Sequence, residues 1–241
     1  DGRMTLSAAP ELVSVLIAEA LQHVRQGADS HPVSVCCPEE LLLVDSGGQY
    51  MGGTTDITRT IALGPVTKEE KQAVTIVLES MLALLTFRFP KGCAGYNMDA
   101  IARAPFWSRG MDYNHGTGHG VGYMLSVHEG PNGIRWQRRV KSEDAEFVPG
   151  MITSDEPGIY IEGRYGVRHE NLMECVEAEP GSRYLEFRPI TFAPIDLDAI
   201  DEDTLTETAR LQLNAYHKEV YAKLAPHMGE EELVWLKEYT R

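Results

Sequence analysis

The sequence has few cysteines, a deficit of basic residues and no long apolar run, and each absence excludes a class of protein. The four cysteines show neither CxxC spacing nor a disulfide framework, which excludes a thiolate metal site and favours reduced thiols in a cytoplasmic protein. The formal net charge of −14 argues against a nucleic-acid partner, because phosphate binding requires a basic surface. No apolar run approaches the roughly 20 residues that span a membrane, so no membrane association is expected.

Motifs of three common enzyme classes are also missing. The glycines of GTGHGVG, residues 116–122, superficially resemble a phosphate-binding loop. They lack both a GKS/T ending and a following acidic residue in a βαβ unit, which disfavours nucleotide binding. The sequence contains neither the HExxH pair of zincins nor the GxSxG turn of serine hydrolases.

Apolar residues at helical spacing predict four helices. The first covers residues 11–24, and the second begins at Thr67, where Glu70 completes a capping box. The third follows Asn97, and the fourth covers residues 204–224. A chain of 241 residues can bury a full core without disulfides or a structural metal, so any metal is expected to be catalytic.

Two segments between these helices predict antiparallel hairpins. Residues 40–63 are expected to turn near Gly52 and Gly53, and residues 151–178 near Gly163. Blocks of helices and hairpins indicate an α+β fold, with an antiparallel sheet covered by helices, and not a parallel doubly wound sheet. Because each hairpin carries two acidic residues, we expect two halves related by a pseudo-two-fold axis.

The four acidic residues of the hairpins form a candidate site. Asp45 follows an apolar run and is expected at the inner end of a buried strand, with Asp56 within a few residues of its register on the returning strand. Glu156 and Glu170 flank Gly163 at equal distances, so a turn there would place them side by side. Carboxylates this close raise each other's pKa and are costly to bury unless a cation lies between them. The pattern therefore predicts a metal site.

A glycine-rich segment is expected to supply a nitrogen ligand. HGTGHGVGYMLSVHEGP, residues 115–131, holds three of the eight histidines, and its glycines allow close backbone approach. His169 alternates with Glu170 along a strand and is expected to face away from the site. One histidine with four carboxylates favours Mn²⁺ or similar divalent ions, two of which can activate a water to hydrolyse an amide.

Three blocks, VDSGGQYMGGTTDITRT, HGTGHGVGYMLSVHEGP and SDEPGIYIEGRYGVRHEN, resemble the pita-bread metallopeptidases of the creatinase/aminopeptidase fold. They are most similar to the eukaryotic cytosolic type of aminopeptidase P, or Xaa-Pro aminopeptidase, in order, spacing and local sequence. The C-terminal segment FRPITFAPIDLDAIDEDTLT is similar to the same group. The resemblance covers about residues 40–241. It implies an aminopeptidase that hydrolyses the N-terminal Xaa-Pro bond of peptides through a metal-bridging hydroxide.

The resemblance implies a set of ligands for two divalent ions, most simply Mn²⁺. Asp45 would hold one ion, and Asp56 and Glu170 would bridge both. His119 and Glu156 would complete the second ion. The cofactor expected from the resemblance is therefore a pair of divalent metal ions in one site.

The resemblance also implies roles around the substrate. Glu156 would act as general base toward the bridging water. His128 would bind near the scissile carbonyl and steady the tetrahedral intermediate, and His115 would line the pocket for the proline ring. Arg168 is similar to an arginine beside the metal carboxylates and Tyr160 to a tyrosine of the pocket, although both could equally be structural.

One departure from the family concerns the region before the first aspartate. Family members carry a further substrate-binding histidine on an upstream strand, and His31 is a poor candidate for it because the stretch is too short. Residues 27–40 are thus predicted to be shortened, either because the strand has been lost or because a segment is missing. Residues 1–241 are expected to form one pita-bread catalytic domain without the family's N-terminal domains.

The implied partner is a peptide with proline at its second position, and the full-length protein is expected to be a cytoplasmic homodimer. Two alternatives stay open. One is a non-catalytic pita-bread binding module whose substrate wall has degenerated. The other is a related enzyme, either a prolidase or a methionine aminopeptidase, that has a different substrate preference.

Overall fold

A computed structural model describes residues 40–124, 126–137 and 145–240 of the chain. The described residues form four α-helices: α1 (Lys68–Leu85), α2 (Gly95–Trp107), α3 (Glu207–Leu224) and α4 (Glu230–Tyr239). Ten strands complete the fold: β1 (Leu41–Tyr50), β2 (Gly53–Ala62), β3 (Phe89–Pro90), β4 (Gly118–His119), β5 (Gly133–Ile134), β6 (Ile152–Asp155), β7 (Gly158–Ile161), β8 (Tyr165–Arg168), β9 (Asn171–Glu177) and β10 (Tyr184–Pro189). Every strand pair is antiparallel, which confirms the predicted α+β class.

The first hairpin is confirmed and consists of β1 and β2. Asp45 pairs with Thr58 and Asp56 pairs with Gly47, so the two aspartates are diagonal neighbours on one face of the ribbon. Gly53 opens β2 with a φ of 144°, a conformation that glycine adopts without strain. The expectation that Asp45 ends a buried strand is wrong, because its side chain is 49% exposed. Among the described residues β1 pairs only with β2, which leaves it half-exposed.

The second hairpin is confirmed but is bent in the middle. Its outer halves, β6 and β9, lie in a four-stranded sheet with β10 and β3, whereas its inner halves, β7 and β8, form a separate pair. The turn lies at Gly163, which has a φ of 70°. Because Asp155 pairs with Asn171 before the bend and Gly158 with Arg168 after it, Glu156 and Glu170 stand opposite each other at the bend.

The core lies between α1, its neighbours α2 and α3, and the strands that carry the second hairpin. The predicted apolar face of α1 is buried and consists of Val74, Val77, Leu78, Met81, Leu82 and Leu85. Each such side chain contributes roughly 1.5–3 kcal/mol through burial. The capping box of Thr67 and Glu70 is present at the start of α1, as predicted.

The other helices differ in part from prediction. Helix α2 begins at Gly95, before the predicted start, because the side chain of Asn97 accepts a hydrogen bond from the Ala94 amide and lies inside the first turn. Helix α3 begins at Glu207 with Thr206 as its N-cap. The predicted helix over 11–24 lies outside the described residues. Within the described part of the chain, none of the helices has the length and apolarity needed to cross a membrane.

Candidate metal centre

Four of the five predicted ligands converge at one place in the structure. Nε2 of His119 lies 3.5 Å from Oδ2 of Asp56 and 3.3 Å from Oε1 of Glu156. Asp56, His119 and Glu170 each offer a ligand atom, and these atoms all lie within 4.8 Å of one another. Residues far apart in the sequence thus form one group of oxygen and nitrogen donors.

Glu170 shows that this group suits a cation. Its Oε2 accepts a hydrogen bond of 2.7 Å from the Thr58 hydroxyl, whereas its buried Oε1 has no hydrogen-bond partner among the described residues. Burial, together with the charges of Glu156 and Asp56, raises the pKa of Glu170 to about 8. A divalent cation would both engage the orphan oxygen and remove the repulsion between the carboxylates.

His119 is oriented as a ligand. Its Nδ1 lies 3.0 Å from the carbonyl of Gly120, and since a carbonyl only accepts, Nδ1 carries the proton. The other nitrogen, Nε2, is therefore free of its proton in the neutral ring and points at the carboxylates. Burial opposes protonation of the ring, but the hydrogen bond to Asp56 and the Gly120 carbonyl raise the pKa of His119 above its ordinary value. Metal-binding histidines commonly use this arrangement, in which a carbonyl fixes the second nitrogen.

Glu156 lies beside His119, and both side chains line the same cleft. Its Oε1 accepts a hydrogen bond of 3.2 Å from the Ser154 hydroxyl, and its amide donates to the carbonyl of Thr117 at 2.8 Å. Burial raises the pKa of Glu156, and the neighbouring His119 only partly offsets this. A carboxyl group with a raised pKa beside a cleft is suited to accepting and returning a proton.

Asp45 stands apart from this group and pairs with Arg168. The guanidinium of Arg168 donates from Nη2 to Asp45, from Nε to the Thr58 hydroxyl at 3.2 Å and from Nη1 to the Tyr160 hydroxyl at 2.8 Å. Arg168 was predicted to lie beside the carboxylates of the candidate site, and in the structure it contacts one of them, that of Asp45. The structure brings Asp45 to the same face as Asp56, but not into the group of closest donor atoms.

The remaining predicted residues line a cleft of about 550 Å³ that opens over the group. The ring of His115 contacts the ring of Tyr160 edge to face at 5.4 Å between centroids. Burial lowers the pKa of His115, which favours the uncharged ring, and its Nε2 has no hydrogen-bond partner within the described ranges. The ring of His128 meets the ring of His119 edge to face at 4.2 Å.

The glycines of the histidine segment are explained by close backbone packing. A Cβ on Gly118 would lie 2.0 Å from the carbonyl oxygen of Ser154, and one on Gly120 would lie 2.1 Å from that of Glu129. A side chain at position 118 would push the segment away from β6, which precedes Glu156. Gly118 thus allows His119 and Glu156 to lie side by side.

Two predictions concern the other histidines. His169 is fully buried on the side away from the site, as predicted, and burial together with the charge of Arg59 lowers its pKa to about 3. His31 and the predicted shortening over 27–40 lie outside the described residues, apart from residue 40.

Three residues of the site were missed by sequence reasoning. Thr58 and Ser154 each lie two residues from a predicted ligand on the same face of a strand, so the alternation of the strand could have found them. Arg59 contacts the backbone of Glu170, and no local pattern pointed to it.

Comparison with known proteins gives two family matches. Residues 6–177 match the profile of metallopeptidase family M24, and residues 183–241 match that of the C-terminal region of peptidase M24. Among curated proteins, the probable Xaa-Pro aminopeptidase P of Talaromyces marneffei is 43% identical over 215 residues, which cover 86% of this chain and 32% of the relative. Aminopeptidase P1 of Arabidopsis thaliana is 44% identical over 208 residues, covering 84% and 32%. The chain thus spans about a third of the length of the curated relatives it matches.

Solved structures give a parallel result. The X-prolyl aminopeptidase of Caenorhabditis elegans, described as a cytosolic enzyme with a di-nuclear active site, superposes with a TM-score of 0.82 at 30% identity. The match covers 98% of this chain and 45% of that one. An Xaa-Pro dipeptidase from Bacillus anthracis matches with a TM-score of 0.55 at 34% identity, covering 65% and 40%.

Proposed function

The chain belongs to metallopeptidase family M24, and from this membership and the geometry of the site we propose that it carries the catalytic centre of an Xaa-Pro aminopeptidase. Such an enzyme hydrolyses the N-terminal Xaa-Pro bond of peptides with the help of metal ions. The pita-bread fold predicted from the three sequence blocks is confirmed by the similarity to the nematode enzyme.

The observation that carries this proposal is the convergence of Asp56, His119, Glu156 and Glu170 around an unpartnered carboxylate oxygen. A purely structural cluster would pair its carboxylates with cations or hydrogen-bond donors, because buried and unpaired acids are costly. Here the described residues leave Oε1 of Glu170 without either. The donor set is dominated by oxygen and contains no thiolate, which favours hard divalent ions such as Mn²⁺.

We propose two divalent ions, held by Asp45, Asp56, His119, Glu156 and Glu170. Each of these five side chains would supply donor atoms to the pair of ions. Two ions in such a set polarise a carbonyl and lower the pKa of a bound water. The description of the nematode relative as di-nuclear supports the count of two.

The side chains of the cleft then have separate tasks. Glu156, with its raised pKa, would take a proton from the attacking water and pass it to the leaving proline nitrogen. His128 borders the cleft beside His119 and would donate a hydrogen bond to the oxygen of the scissile carbonyl as negative charge develops there. The ring of His115, whose lowered pKa favours the uncharged form, packs against Tyr160 and would offer a flat aromatic surface for a proline ring.

Arg168 would link the pocket, through Tyr160, to the proposed metal ligands, through Asp45. Its three hydrogen bonds reach Asp45, Thr58 and Tyr160, so one side chain fixes a proposed ligand and the tyrosine of the pocket. A rigid fork of this kind keeps the reacting groups in place during turnover.

The wider setting of the chain is proposed in the same way. We propose that residues 1–241 act as one catalytic domain and that the full-length protein is a cytoplasmic homodimer without nucleic-acid or membrane partners. The description of the nematode relative as cytosolic supports the location. The partner would be a peptide with proline at position two, as the names of the relatives suggest.

A peptide series tests the substrate preference. Peptides with Pro, Ala or Gly at the second position are incubated with the purified chain and Mn²⁺, and the released first residue is measured. Cleavage before Pro alone supports the proposal. Cleavage of Met-Ala peptides would indicate a methionine aminopeptidase, and cleavage restricted to dipeptides would indicate a prolidase.

A metal assay tests the non-catalytic alternative. Asp56→Asn should remove both metal binding and hydrolysis, whereas Asp203→Asn, a matched change at an exposed aspartate, should preserve both. If the unchanged chain binds none of Mn²⁺, Co²⁺ and Zn²⁺ and shows no turnover with them, the binding module is the better explanation.

A further inference from the structure

A buried arginine joins the two carboxylate-bearing hairpins to the C-terminal region. Arg59 lies on β2, three residues after Asp56, and is only 8% exposed. Its guanidinium donates to six oxygens of the described residues, and none of them belongs to a carboxylate. They are the carbonyls of Thr58, Glu170, Ala193 and Pro194, the side-chain oxygen of Asn171 and the hydroxyl of Tyr216.

The chemistry of this contact set requires an arginine. A guanidinium has five N–H groups in a fixed plane, and each donor nitrogen of Arg59 has at least one acceptor within 3.1 Å. A lysine has three donors on one atom and could satisfy only part of the set. Burial lowers the pKa of Arg59, while Tyr216 and Glu170 offset part of this effect.

On one side, the arginine fixes the place of a proposed metal ligand. Nη1 donates to the carbonyls of Thr58 and Glu170, at 2.9 and 2.7 Å. The same two residues form a bridge between the hairpins, because the Glu170 amide donates to the Thr58 carbonyl at 2.9 Å. The spacing of Asp56 on one hairpin and Glu170 on the other is therefore set at this contact.

On the other side, the arginine is held by the C-terminal region. Nη2 donates to the hydroxyl of Tyr216 on α3 at 3.0 Å and to the carbonyl of Ala193 at 2.9 Å. The Tyr216 hydroxyl has one proton to give, and the carbonyls of Thr191 and Ala193 lie 3.0 and 3.1 Å away as acceptors. These residues belong to residues 183–241, the part that matches the C-terminal region of the family.

We infer that Arg59 and Tyr216 are positioning residues through which the C-terminal region sets the affinity and geometry of the metal centre. Arg59 holds the backbone of Glu170, and Tyr216 holds Arg59. This inference rests on the proposed function, since it requires that Asp56 and Glu170 bind metal.

Cobalt binding by the full 241-residue chain tests the inference, with Co²⁺ as the probe. Its visible absorption reports the geometry of the ligands, and titration gives the dissociation constant without any turnover. The variants are Tyr216→Phe, Arg59→Lys and the double variant, and Tyr221→Phe, on the outer side of the same helix, is the matched control. Thermal unfolding of the metal-free proteins is measured alongside.

We expect Arg59→Lys to weaken Co²⁺ binding by about 10- to 100-fold, the range found for outer-shell partners of metal ligands. Tyr216→Phe should weaken it by at least about threefold and change the absorption spectrum, because one bond to the guanidinium is lost. Tyr221→Phe should change neither. Because Tyr216 acts through Arg59, the double variant should resemble Arg59→Lys alone and not show the product of the two effects.

Three results would overturn the inference. One is a Tyr216→Phe protein whose Co²⁺ affinity and spectrum equal those of the unchanged chain, even if its unfolding temperature falls. Another is a double variant whose losses multiply. The third is an unchanged chain that binds no Co²⁺ at all, in which case the proposed function fails and the inference fails with it. If Arg59→Lys does not fold, the comparison of Tyr216→Phe with Tyr221→Phe decides the question.

Discussion

Replacing Glu170 by glutamine should stabilise the metal-free protein at alkaline pH while removing metal binding. The carboxyl of Glu170 is 1% exposed, and burial with the neighbouring Glu156 and Asp56 raises its pKa from 4.5 to about 8. Between these values the unfolded chain releases the proton and the folded chain keeps it. The contribution of the protonated Glu170 carboxyl to the free energy of unfolding is therefore fully present below about pH 4.5. It is lost as the pH rises through about 8.

The size of this loss follows from the two pKa values. The difference between 4.5 and about 8 corresponds to about 5 kcal/mol, at about 1.4 kcal/mol per pH unit. Glutamine cannot ionise and can still accept the hydrogen bond of Thr58, but its amide group would occupy the unpartnered position of Oε1 at a cost of about 1–3 kcal/mol. We therefore expect Glu170→Gln to be about 2–4 kcal/mol more stable than wild type above about pH 8.

Urea unfolding with a chelator present, at about pH 5 and about pH 8.5, measures both ends of this window. The variant should be equal to or less stable than wild type at the lower pH and more stable at the higher one, so the order reverses. Glu174→Gln serves as the matched control, because Glu174 is a half-buried glutamate on β9, the strand that begins one residue after Glu170. Its stability should show the same pH dependence as that of wild type. If Glu170→Gln lost as much stability with rising pH as wild type, the reasoning about Glu170 would be refuted.

Three further predictions concern the cleft, the core and the glycine segment. His128→Ala should lower kcat by about 10²- to 10³-fold with little change in metal affinity, because it removes a donor to the developing oxyanion; an equal loss of Co²⁺ binding would contradict this role. Arg103→Met should lower the free energy of unfolding by roughly 3–5 kcal/mol, because it leaves the fully buried Asp99 without its ion-pair partner. A loss below about 1 kcal/mol in urea titrations would argue against this reasoning. Gly118→Ala should weaken metal binding and lower the unfolding temperature, because its Cβ would meet the Ser154 carbonyl at 2.0 Å, and an unchanged protein would show that the segment can shift freely.

The hairpins and their acids could be predicted because the signals are local. Strand alternation, apolar runs and turn glycines lie within the segments themselves, and they place Asp45 near Asp56 and Glu156 opposite Glu170. The bend of the second hairpin also had a signal that the prediction did not use. Pro157 follows Glu156 directly and has no N–H to donate, so it interrupts the ladder there.

Helix α4 was missed for a different reason. By composition its first turn, Glu230–Glu232, resembles a solvated acidic patch, yet acidic residues also favour the first turn of a helix through its dipole. The side chain of Glu232 accepts a hydrogen bond from the Gly229 amide and caps the turn. Composition alone did not separate these two meanings of the same three glutamates.

The exposure of Asp45 and the role of Arg59 could not have been predicted from local pattern. Asp45 is exposed because β1 has one neighbouring strand among the described residues, which depends on the arrangement of the whole sheet. Arg59 finds its acceptors more than 100 residues away along the chain, apart from the carbonyl of Thr58. Such contacts depend on the tertiary structure, and a single sequence does not encode them in any short window.

Proton and cation compete for the same oxygens in this site. In the metal-free protein at pH 7, Glu170 keeps its proton, because its pKa of about 8 lies above that pH. A divalent ion requires the carboxylate, so its binding must release this proton. The affinity for Co²⁺ should therefore rise with pH up to about 8 and then level off. Titrations with Co²⁺ at a series of pH values test this, and a constant affinity across that range would mean that Glu170 is already ionised. The raised pKa that destabilises the empty fold is thus the same property that lets a cation stabilise it.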